Sequence, residues 1–121
     1  MNIIVDAFGG DNAPLEVIKG CRMAQENLIA KTAADNGIDI SGMIIEHSDS
    51  VIDIHEEPSE ILKSRNGCSM AVGLKLLSED KGDAFVCAGS TGALVVGSTF
   101  IAKRIKGIKR AVLAPILPTA K

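Results

Sequence analysis

The chain has 121 residues, of which 46% are hydrophobic, 2% aromatic and 23% charged, and its formal net charge at pH 7 is −2. A chain of this length and apolar content can bury one modest core, so we expect a single domain or part of one. The balanced charge and the scarcity of aromatic side chains argue against a general nucleic-acid-binding protein, which would need a basic surface or rings that stack on bases.

Isolated cysteines and histidines exclude several further classes of protein. Cys21, Cys68 and Cys87 are odd in number and far apart, and they form no Cys-x-x-Cys pair. This pattern argues against a secreted disulfide framework and against a zinc ribbon, and it fits a reduced cytoplasm. His47 and His55 have no second histidine or cysteine at ligand spacing, so no metal site is expected.

Two segments bear on membrane association. Residues 1–6 have no basic start and no long apolar run, so they do not resemble a signal peptide. Residues 84–102 carry no charged side chain and approach the roughly 20 residues of a membrane span. A Gly-Ser-Thr-Gly turn at residues 89–92 divides that run, so the sequence favours a short strand followed by a helix over a transmembrane helix.

The first predicted unit consists of a strand, a glycine-rich loop and a helix. Residues 3–5 (Ile-Ile-Val) are apolar and β-branched, and the run stops at Asp6, as in a buried strand. The loop at residues 9–12 (Gly-Gly-Asp-Asn) follows, and Pro14 suits the first turn of a helix. Apolar residues then recur at helical spacing: Val17, Ile18, Cys21, Met23, Ala24 and Leu28.

The middle of the chain predicts helices and one strand. Residues 31–37 form another helix-like stretch that ends in a capping glycine, with no strand between it and the first helix. Either the first helix is unusually long or a segment is missing near Ala30. A strand is predicted at residues 43–45, and a helix or a pair of helices over residues 59–77, where the Asn-Gly pair at 66–67 marks an end and a restart.

A second unit of the same kind follows. Residues 84–87 predict a strand, residues 89–92 a turn, and residues 94–103 a helix. A further strand is predicted at residues 111–114, where Pro115 ends it. Two strand–turn–helix units imply a mainly parallel sheet, so the fold class is α/β.

The turn formed by Gly89, Ser90, Thr91 and Gly92, called the Gly89 turn below, is the most informative feature of the sequence. It lies where a strand meets a helix, so unpaired backbone N–H groups, the helix dipole and two hydroxyl groups could all favour an anion. The alternative is that Ser90 or Thr91 only caps the helix while glycine permits the turn. No lysine follows the second glycine, so this is not a Walker A loop.

The loop formed by Gly9, Gly10 and Asp11, called the Gly9 loop below, follows the first strand, at the edge of an open α/β sheet where ligands bind. The alternative is an ordinary turn in which Asp11 or Asn12 caps the helix. The spacing does not match the Gly-x-Gly-x-x-Gly dinucleotide fingerprint. Cys87, inside an apolar strand, is interpreted as a packing residue rather than a nucleophile.

Five cations, called the basic segment below, follow the second helix: Lys103, Arg104, Lys106, Lys109 and Arg110. They suit a solvated helix C-terminus. Alternatively, they form a docking patch for an acidic partner or for anionic lipid headgroups. Lys63 and Arg65 make a smaller basic pair that could face a ligand or only water.

Together these motifs resemble the bacterial phosphate acyltransferase family of phospholipid synthesis, and the resemblance runs nearly end to end. The segments that carry it are Val5-Asp6-Ala7-Phe8-Gly9-Gly10-Asp11, His47-x-Asp49-x-Val51-Ile52 with Glu57-Pro58, Ser69-Met70, Ala88 to Ala93, and Gly107-Ile108-x-Arg110 with Leu113-Ala114-Pro115-x-Leu117-Pro118-Thr119. The sequence departs from the family where Ser64 and Asn66 thin a basic run, where Cys68 replaces a serine, and where Ser90 stands in place of the usual Asn.

The resemblance implies a three-layer α/β/α fold with a mainly parallel sheet, like that of isocitrate and isopropylmalate dehydrogenases, and a homodimer. The implied reaction moves a fatty acyl group from acyl-carrier protein to inorganic phosphate, without an organic cofactor or a metal. The Gly89 turn and the Gly9 loop, both at the carboxyl ends of strands, would bind phosphate or the thioester end. On its charge alone, the basic segment is a candidate surface for the carrier protein or for lipid. The implied location is the cytoplasm or the inner face of the membrane, with a downstream acyltransferase as a further partner.

The family domain is much longer than this chain, so residues 1–121 are expected to be the N-terminal portion of a single α/β domain that is inactive alone. The family also has a strand where the irregularity near Ala30 lies, so on the order of fifteen residues are predicted to be absent there. Two other functions stay open from the residues: a dehydrogenase-like enzyme of the same fold, and a non-catalytic anion-binding module.

Overall fold

The computed structural model describes residues 1–10, 12–15, 26–112 and 114. Within them the chain forms two strands and three α-helices, joined by a 3₁₀ helix at Pro58–Leu62 and extended by a π-helical turn at Ser98–Ala102. The strands are β1 (Ile3–Asp6) and β2 (Ala84–Cys87), and the helices are α1 (Glu26–Asp35), α2 (Ser69–Ser78) and α3 (Thr91–Gly97).

Strands β1 and β2 pair in parallel, with Ile3 opposite Ala84 and Asp6 opposite Cys87. This pairing confirms the predicted α/β class and two of the four predicted strands. Because parallel strands end at the same edge of a sheet, the pairing places the last residues of both strands, Asp6 and Cys87, side by side. The loops that follow the two strands therefore leave the sheet together.

The core lies where helix α2 packs against the sheet and against α3. Its largest fully buried side chains are Ile61, Met70, Leu74 and Cys68. Within α2 the buried residues recur three and four positions apart, which is the spacing of one helix face. Gly73 lies on this face, where a Cβ atom would collide with the ring of Phe85, so the absence of a side chain lets the helix approach β2 closely.

The long helical prediction over residues 59–77 resolves into two elements. A 3₁₀ helix covers Pro58–Leu62, and α2 begins at Ser69. The predicted interruption at residues 66–67 lies between them, in a turn. Extended backbone at Cys68, with φ −68° and ψ 160°, starts the second helix, so the prediction of an end and a restart agrees with the structure.

Two predicted strands do not form. Residues 43–45 are irregular, and Ile44 is 75% exposed. Residues 111, 112 and 114 are also outside any strand, and Val112 is 82% exposed, while Leu113 and Pro115 lie outside the described residues. In both places the apolar run is short and has no neighbouring strand to pair with in the described structure, so its backbone gains no ladder of hydrogen bonds.

Helix α1 passes through Ala30 without a break and ends at Asp35, and Gly37 is the capping glycine that was predicted. Gly37 has φ +64°, and the amide of Ile38 bonds to the carbonyl of Ala33 at 2.8 Å, the arrangement of a Schellman cap. The earlier part of the predicted first helix, from Val17 to Ala24, lies outside the described residues. The absence of a strand near Ala30 stays a prediction.

The second unit forms as predicted, but its helix starts earlier. Helix α3 begins at Thr91 and passes at Ser98 into the π-helical turn that ends at Ala102. In the part of the chain that the structure describes, no helix is long and apolar enough to cross a membrane.

Candidate functional site

The carboxyl edge of the sheet brings the two glycine-rich turns into contact. Gly9 lies so close to the Gly89 turn that a Cβ atom at residue 9 would be 2.5 Å from the amide nitrogen of Gly89 and 3.0 Å from that of Ala88. Gly10 has φ +111°, a conformation that glycine adopts readily. The sequence predicted that both turns follow strands, and the structure shows that their backbones touch. Asp11 lies outside the described residues.

Beneath these turns, Asp6 and Cys87 form a polar link across the ends of the strands. The Cys87 thiol donates to Oδ2 of Asp6 over 3.2 Å, and Oδ1 of Asp6 accepts from the Phe8 amide over 3.0 Å. The Gly89 amide in turn donates to Sγ of Cys87 over 3.2 Å. The Asp6 side chain is therefore connected to both turns.

This environment keeps the Cys87 thiol protonated. Burial, and then the negative charge of Asp6, raise the pKa of Cys87 from 9.0 to about 12. Burial also raises the pKa of Cys68, the other cysteine in the described structure. Thiolate is the nucleophilic form of cysteine, so the structure agrees with the interpretation of Cys87 as a packing residue.

In the Gly89 turn, the two hydroxyl groups have different surroundings. Ser90 is 7% exposed and is the N-cap of α3, because its Oγ accepts from the amide of Ala93 over 3.3 Å. Thr91 is exposed, and its hydroxyl group makes no hydrogen bond with the described residues. Capping is thus the role of Ser90, whereas the hydroxyl group of Thr91 is available to a ligand. Gly92 packs on Pro58, where a Cβ atom would be 2.8 Å from Cγ of the proline.

Comparison with known proteins assigns the chain to a family. The model of the family described as "Fatty acid synthesis protein" matches residues 1–121. The chain belongs to the fatty acid synthesis protein family.

Curated relatives of this family cover nearly the whole chain. The phosphate acyltransferase of Acetivibrio thermocellus is 39% identical over 98% of this chain and 39% of its own length. That of Caldanaerobacter subterraneus subsp. tengcongensis is 43% identical over 98% of this chain and 39% of its own length. That of Thermotoga neapolitana is 39% identical over 100% of this chain and 38% of its own length. The chain therefore spans less than two-fifths of the length of these relatives.

In this member of the fatty acid synthesis protein family, the basic segment is a loop rather than a helix end. Only Lys103 adjoins the helical residues, and it follows them with φ +69°. Beyond it, the guanidinium group of Arg104 donates to the carbonyl of Lys109, and the amide of Ile108 bonds to the carbonyl of Ile105 over 3.0 Å. All five cations are exposed, and so is the side chain of Ile105, which is 80% exposed.

The smaller basic pair does not point to a ligand. Arg65 donates to Oε2 of Glu56 over 2.7 Å, and this hydrogen bond lowers the pKa of Glu56. Lys63 lies 3.6 Å from Oε1 of Glu60, whose pKa is lowered first by the hydrogen bond from Ser64 and also by Lys63. Both cations thus belong to the loop between the 3₁₀ helix and α2.

Ser69 lies at the start of α2, and the sequence did not mark it as a ligand. Its hydroxyl group is buried and has no hydrogen-bond partner among the described residues. It lines a small cavity of about 40 Å³ together with Asp6 and Ser48. The one signal in the sequence that could have identified Ser69 is its position beside Met70, in a segment that resembles the phosphate acyltransferase family.

No group of three or more metal-binding side chains occurs within the described residues. Of the two histidines, His47 lies 3.2 Å from Oδ1 of Asp49, and both side chains are largely exposed.

Proposed function

We propose that the whole protein transfers a fatty acyl group from acyl-carrier protein to inorganic phosphate, giving acyl phosphate for phospholipid synthesis. The observation that supports this most is the contact between Gly9 and the Gly89 turn at the carboxyl edge of the parallel strands. Membership of the fatty acid synthesis protein family and relatives named phosphate acyltransferase support the same reaction. This chain supplies part of the site, since the relatives are more than twice as long.

Phosphate binding fits the unpaired groups at the start of α3. Ser90 is the N-cap, so the amides of Thr91 and Gly92 have no partner four residues back within the helix. The hydroxyl group of Thr91 lies beside them.

Other amides of the turn are already bonded. The amide of Ala93 donates to Oγ of Ser90, the amide of Leu94 donates to the carbonyl of Ser90, and the Gly89 amide donates to Cys87. The proposed phosphate ligands are therefore Thr91 and the backbone of Gly92, with Gly9, Gly10 and Asp11 on the opposite side.

In the proposed reaction a phosphate oxygen attacks the thioester carbonyl carbon. The new bond joins this oxygen to the acyl carbon, the carbon–sulfur bond breaks, and the pantetheine thiolate leaves. The protein holds phosphate against the thioester and stabilises the negative charge that develops on the carbonyl oxygen. Backbone amides and a hydroxyl group suit that task, because they donate hydrogen bonds without a change in their own protonation.

The basic segment is proposed to dock the acidic carrier protein. Five exposed cations lie within eight residues, and none of them has an ion pair among the described residues. Exposed isoleucines at positions 105 and 108 lie between them and would add apolar contact area. Anionic lipid headgroups are the alternative ligand for the same charges, and they would place the protein at the inner face of the membrane.

The proposed assembly is a homodimer with the three-layer α/β/α architecture. Parallel strands such as β1 and β2 normally belong to a larger sheet that is covered by helices on both faces. The same proposal includes the prediction that this chain lacks, near Ala30, a strand of the family domain. The alignment to the Acetivibrio relative runs over 132 residues, more than the 121 of this chain, so that relative has positions that this chain lacks.

The proposed function is tested by a thiol-release assay on the whole protein. Acyl-carrier protein charged with a fatty acid is the substrate, and the released pantetheine thiol is measured with and without inorganic phosphate. We expect release that depends on phosphate. Phosphate binding without thiol release would favour the anion-binding module, and a change in nicotinamide absorbance with a hydroxy acid substrate would favour the dehydrogenase-like enzyme.

A further inference from the structure

Asp6 is a buried carboxylate whose two oxygens are both engaged. It is 5% exposed at the end of β1. Oδ1 accepts from the amide of Phe8, just before the Gly9 loop, and Oδ2 accepts from the thiol of Cys87. No cation pairs with Asp6 among the residues that the structure describes. A buried charge is costly unless its hydrogen bonds are satisfied, so these two bonds account for its presence there.

The thiol of Cys87 connects this carboxylate to the second turn. Its sulfur donates to Asp6 and accepts from the Gly89 amide, so polar contacts run from Asp6 through Cys87 to Gly89. The sulfur also faces the Gly9 loop, since a Cβ atom at Gly9 would be 3.0 Å from it. Both turns of the proposed site therefore rest on one side-chain pair.

We propose that Asp6 is a positioning residue of the anion site, which holds the Gly9 loop through the Phe8 amide and the Gly89 turn through the Cys87 thiol. This inference rests on the proposed function, because it names the residue that keeps the two turns of that site in place. Asp6 is not a catalytic residue in this proposal. Both of its oxygens already accept hydrogen bonds from the protein, and the side chain is almost fully covered.

The chemistry of the link explains why a carboxylate is needed. The thiol can accept from the Gly89 amide and donate its own proton only if an acceptor lies on its other side. In Asp6→Asn, the amide group keeps a single acceptor oxygen, for Phe8, and turns a donor towards Cys87. The sulfur would then face two donors, and its proton would have no partner. Cys87→Ala removes the link altogether, whereas Cys87→Ser retains a group that both donates and accepts.

The test compares steady-state kinetics of the whole protein with Asp6→Asn, Cys87→Ala and Cys87→Ser. We expect the phosphate KM to rise at least about tenfold in the first two variants, as for the loss of one hydrogen bond to a charged group. The carrier-protein KM should stay unchanged, and Cys87→Ser should restore the phosphate KM to near its original value. Asp80→Asn is the matched control, because Asp80 is exposed in a remote turn and has φ +58°, which Asn tolerates.

Two further measurements test the contacts from Asp6 through Cys87 to Gly89 and do not depend on enzyme activity. Among the described residues, the titratable groups that act on the Cys87 thiol are Asp6 from β1 and Cys68 from the start of α2, and burial and Asp6 raise its pKa most. Loss of the Asp6 charge should lower that pKa, so iodoacetamide should alkylate Cys87 faster in Asp6→Asn than in wild type at mildly alkaline pH. Mass spectrometry of the separated peptides distinguishes Cys87 from Cys68. The Gly89 amide should exchange its hydrogen faster in both Asp6→Asn and Cys87→Ala.

Each outcome supports or overturns the proposal. An unchanged phosphate KM in folded Asp6→Asn, or an equal rise in the carrier-protein KM, would overturn it. If Asp6→Asn does not fold, Cys87→Ala carries the same comparison. If wild-type protein releases no thiol with phosphate, the proposed function fails, while unchanged alkylation and hydrogen exchange in the variants would separately refute the link between Asp6 and Gly89.

Discussion

Gly9 and Gly89 are separated by most of the chain, yet a side chain on Gly9 would place its first carbon 2.5 Å from the amide nitrogen of Gly89. The same carbon would lie 3.0 Å from the amide nitrogen of Ala88. The obstacle is backbone rather than a flexible side chain, so neither turn could yield without moving its strand. The contact fixes the spacing between the two loops that form the proposed anion site.

Gly9→Ala should separate these turns. We expect the variant to lose about 1–3 kcal/mol of stability, the range for overpacking a close contact, and to lose most phosphate-dependent thiol release. Thermal unfolding and the release assay measure the two effects. Gly37→Ala is the control, because nothing lies within 4 Å of its Cβ position and it is strained only by its φ of +64°. Full activity in Gly9→Ala would show that the spacing of the turns is not critical.

Thr91→Val should weaken phosphate binding, because it removes an exposed hydroxyl group but keeps the shape of the side chain. That hydroxyl group lies beside the amides of Thr91 and Gly92, which have no partner among the described residues. The phosphate KM should rise about tenfold, with little change in melting temperature. Thr99→Val is the matched control at the other end of the helical segment, where the hydroxyl group bonds to the carbonyl of Val95 over 2.7 Å. Unchanged phosphate kinetics in Thr91→Val would remove Thr91 from the site.

Ser90→Ala should affect stability instead. The substitution removes the cap of α3 and leaves the amide of Ala93 without its partner, at a typical cost of about 1 kcal/mol. Ser90→Asn should retain most of the stability, since Asn is an equally good N-cap. Chemical denaturation of the three proteins tests this order. If Ser90→Ala were as stable as wild type, capping would not be the role of Ser90.

Charge reversal in the basic segment should weaken carrier-protein binding. For the double variant Lys106→Glu and Lys109→Glu, we expect a several-fold higher carrier-protein KM at low salt and an unchanged phosphate KM, since exposed charges act mainly on encounter. A double reversal at Lys31 and Lys81, both exposed on other parts of the surface, is the control. A KM equal to that of wild type, together with lost binding to anionic vesicles, would assign the segment to lipid headgroups instead.

Alkaline pH should destabilise the fold through Cys87. Because burial and Asp6 raise its pKa from 9.0 to about 12, the folded protein holds the thiol proton more tightly than the unfolded chain. This stabilisation is fully present below about pH 9 and is lost as the pH rises towards about 12. The melting temperature of wild type should therefore fall more steeply over that range than that of Cys87→Ala. Parallel curves for the two proteins would contradict the shifted pKa.

Short sequence patterns correctly predicted the elements that depend only on neighbouring residues. The apolar runs of β1 and β2, the capping glycine at residue 37 and the interruption before α2 all depend on residues near one another in the chain. The two false strands, at residues 43–45 and 111–114, show the limit of such patterns. A short apolar run becomes a strand only when another strand lies beside it, and three or four residues do not reveal whether one does.

The candidate site was predicted in part. The sequence indicated that both turns follow strands and that Ser90 and Thr91 carry hydroxyl groups, but it left capping and anion binding as alternatives for both residues. The structure shows that Ser90 caps the helix, because its Oγ accepts from the amide of Ala93, while anion binding at the exposed Thr91 stays a prediction. The hydrogen bond between Cys87 and Asp6 was not predicted, since each residue alone is an ordinary strand end.

The sequence by itself determined strands β1 and β2, the helix that follows β2 and the resemblance to an acyltransferase family. The helix predicted after β1, from Val17 to Ala24, lies outside the described residues. Only the tertiary structure decided that Gly9 touches the Gly89 turn and that the Cys87 thiol donates to Asp6, a contact between residues 81 positions apart. The physical reason is that the register of the two strands decides which residues lie side by side. Parallel pairing of β1 with β2 aligns Asp6 with Cys87, and that alignment depends on the packing of the whole core rather than on either segment.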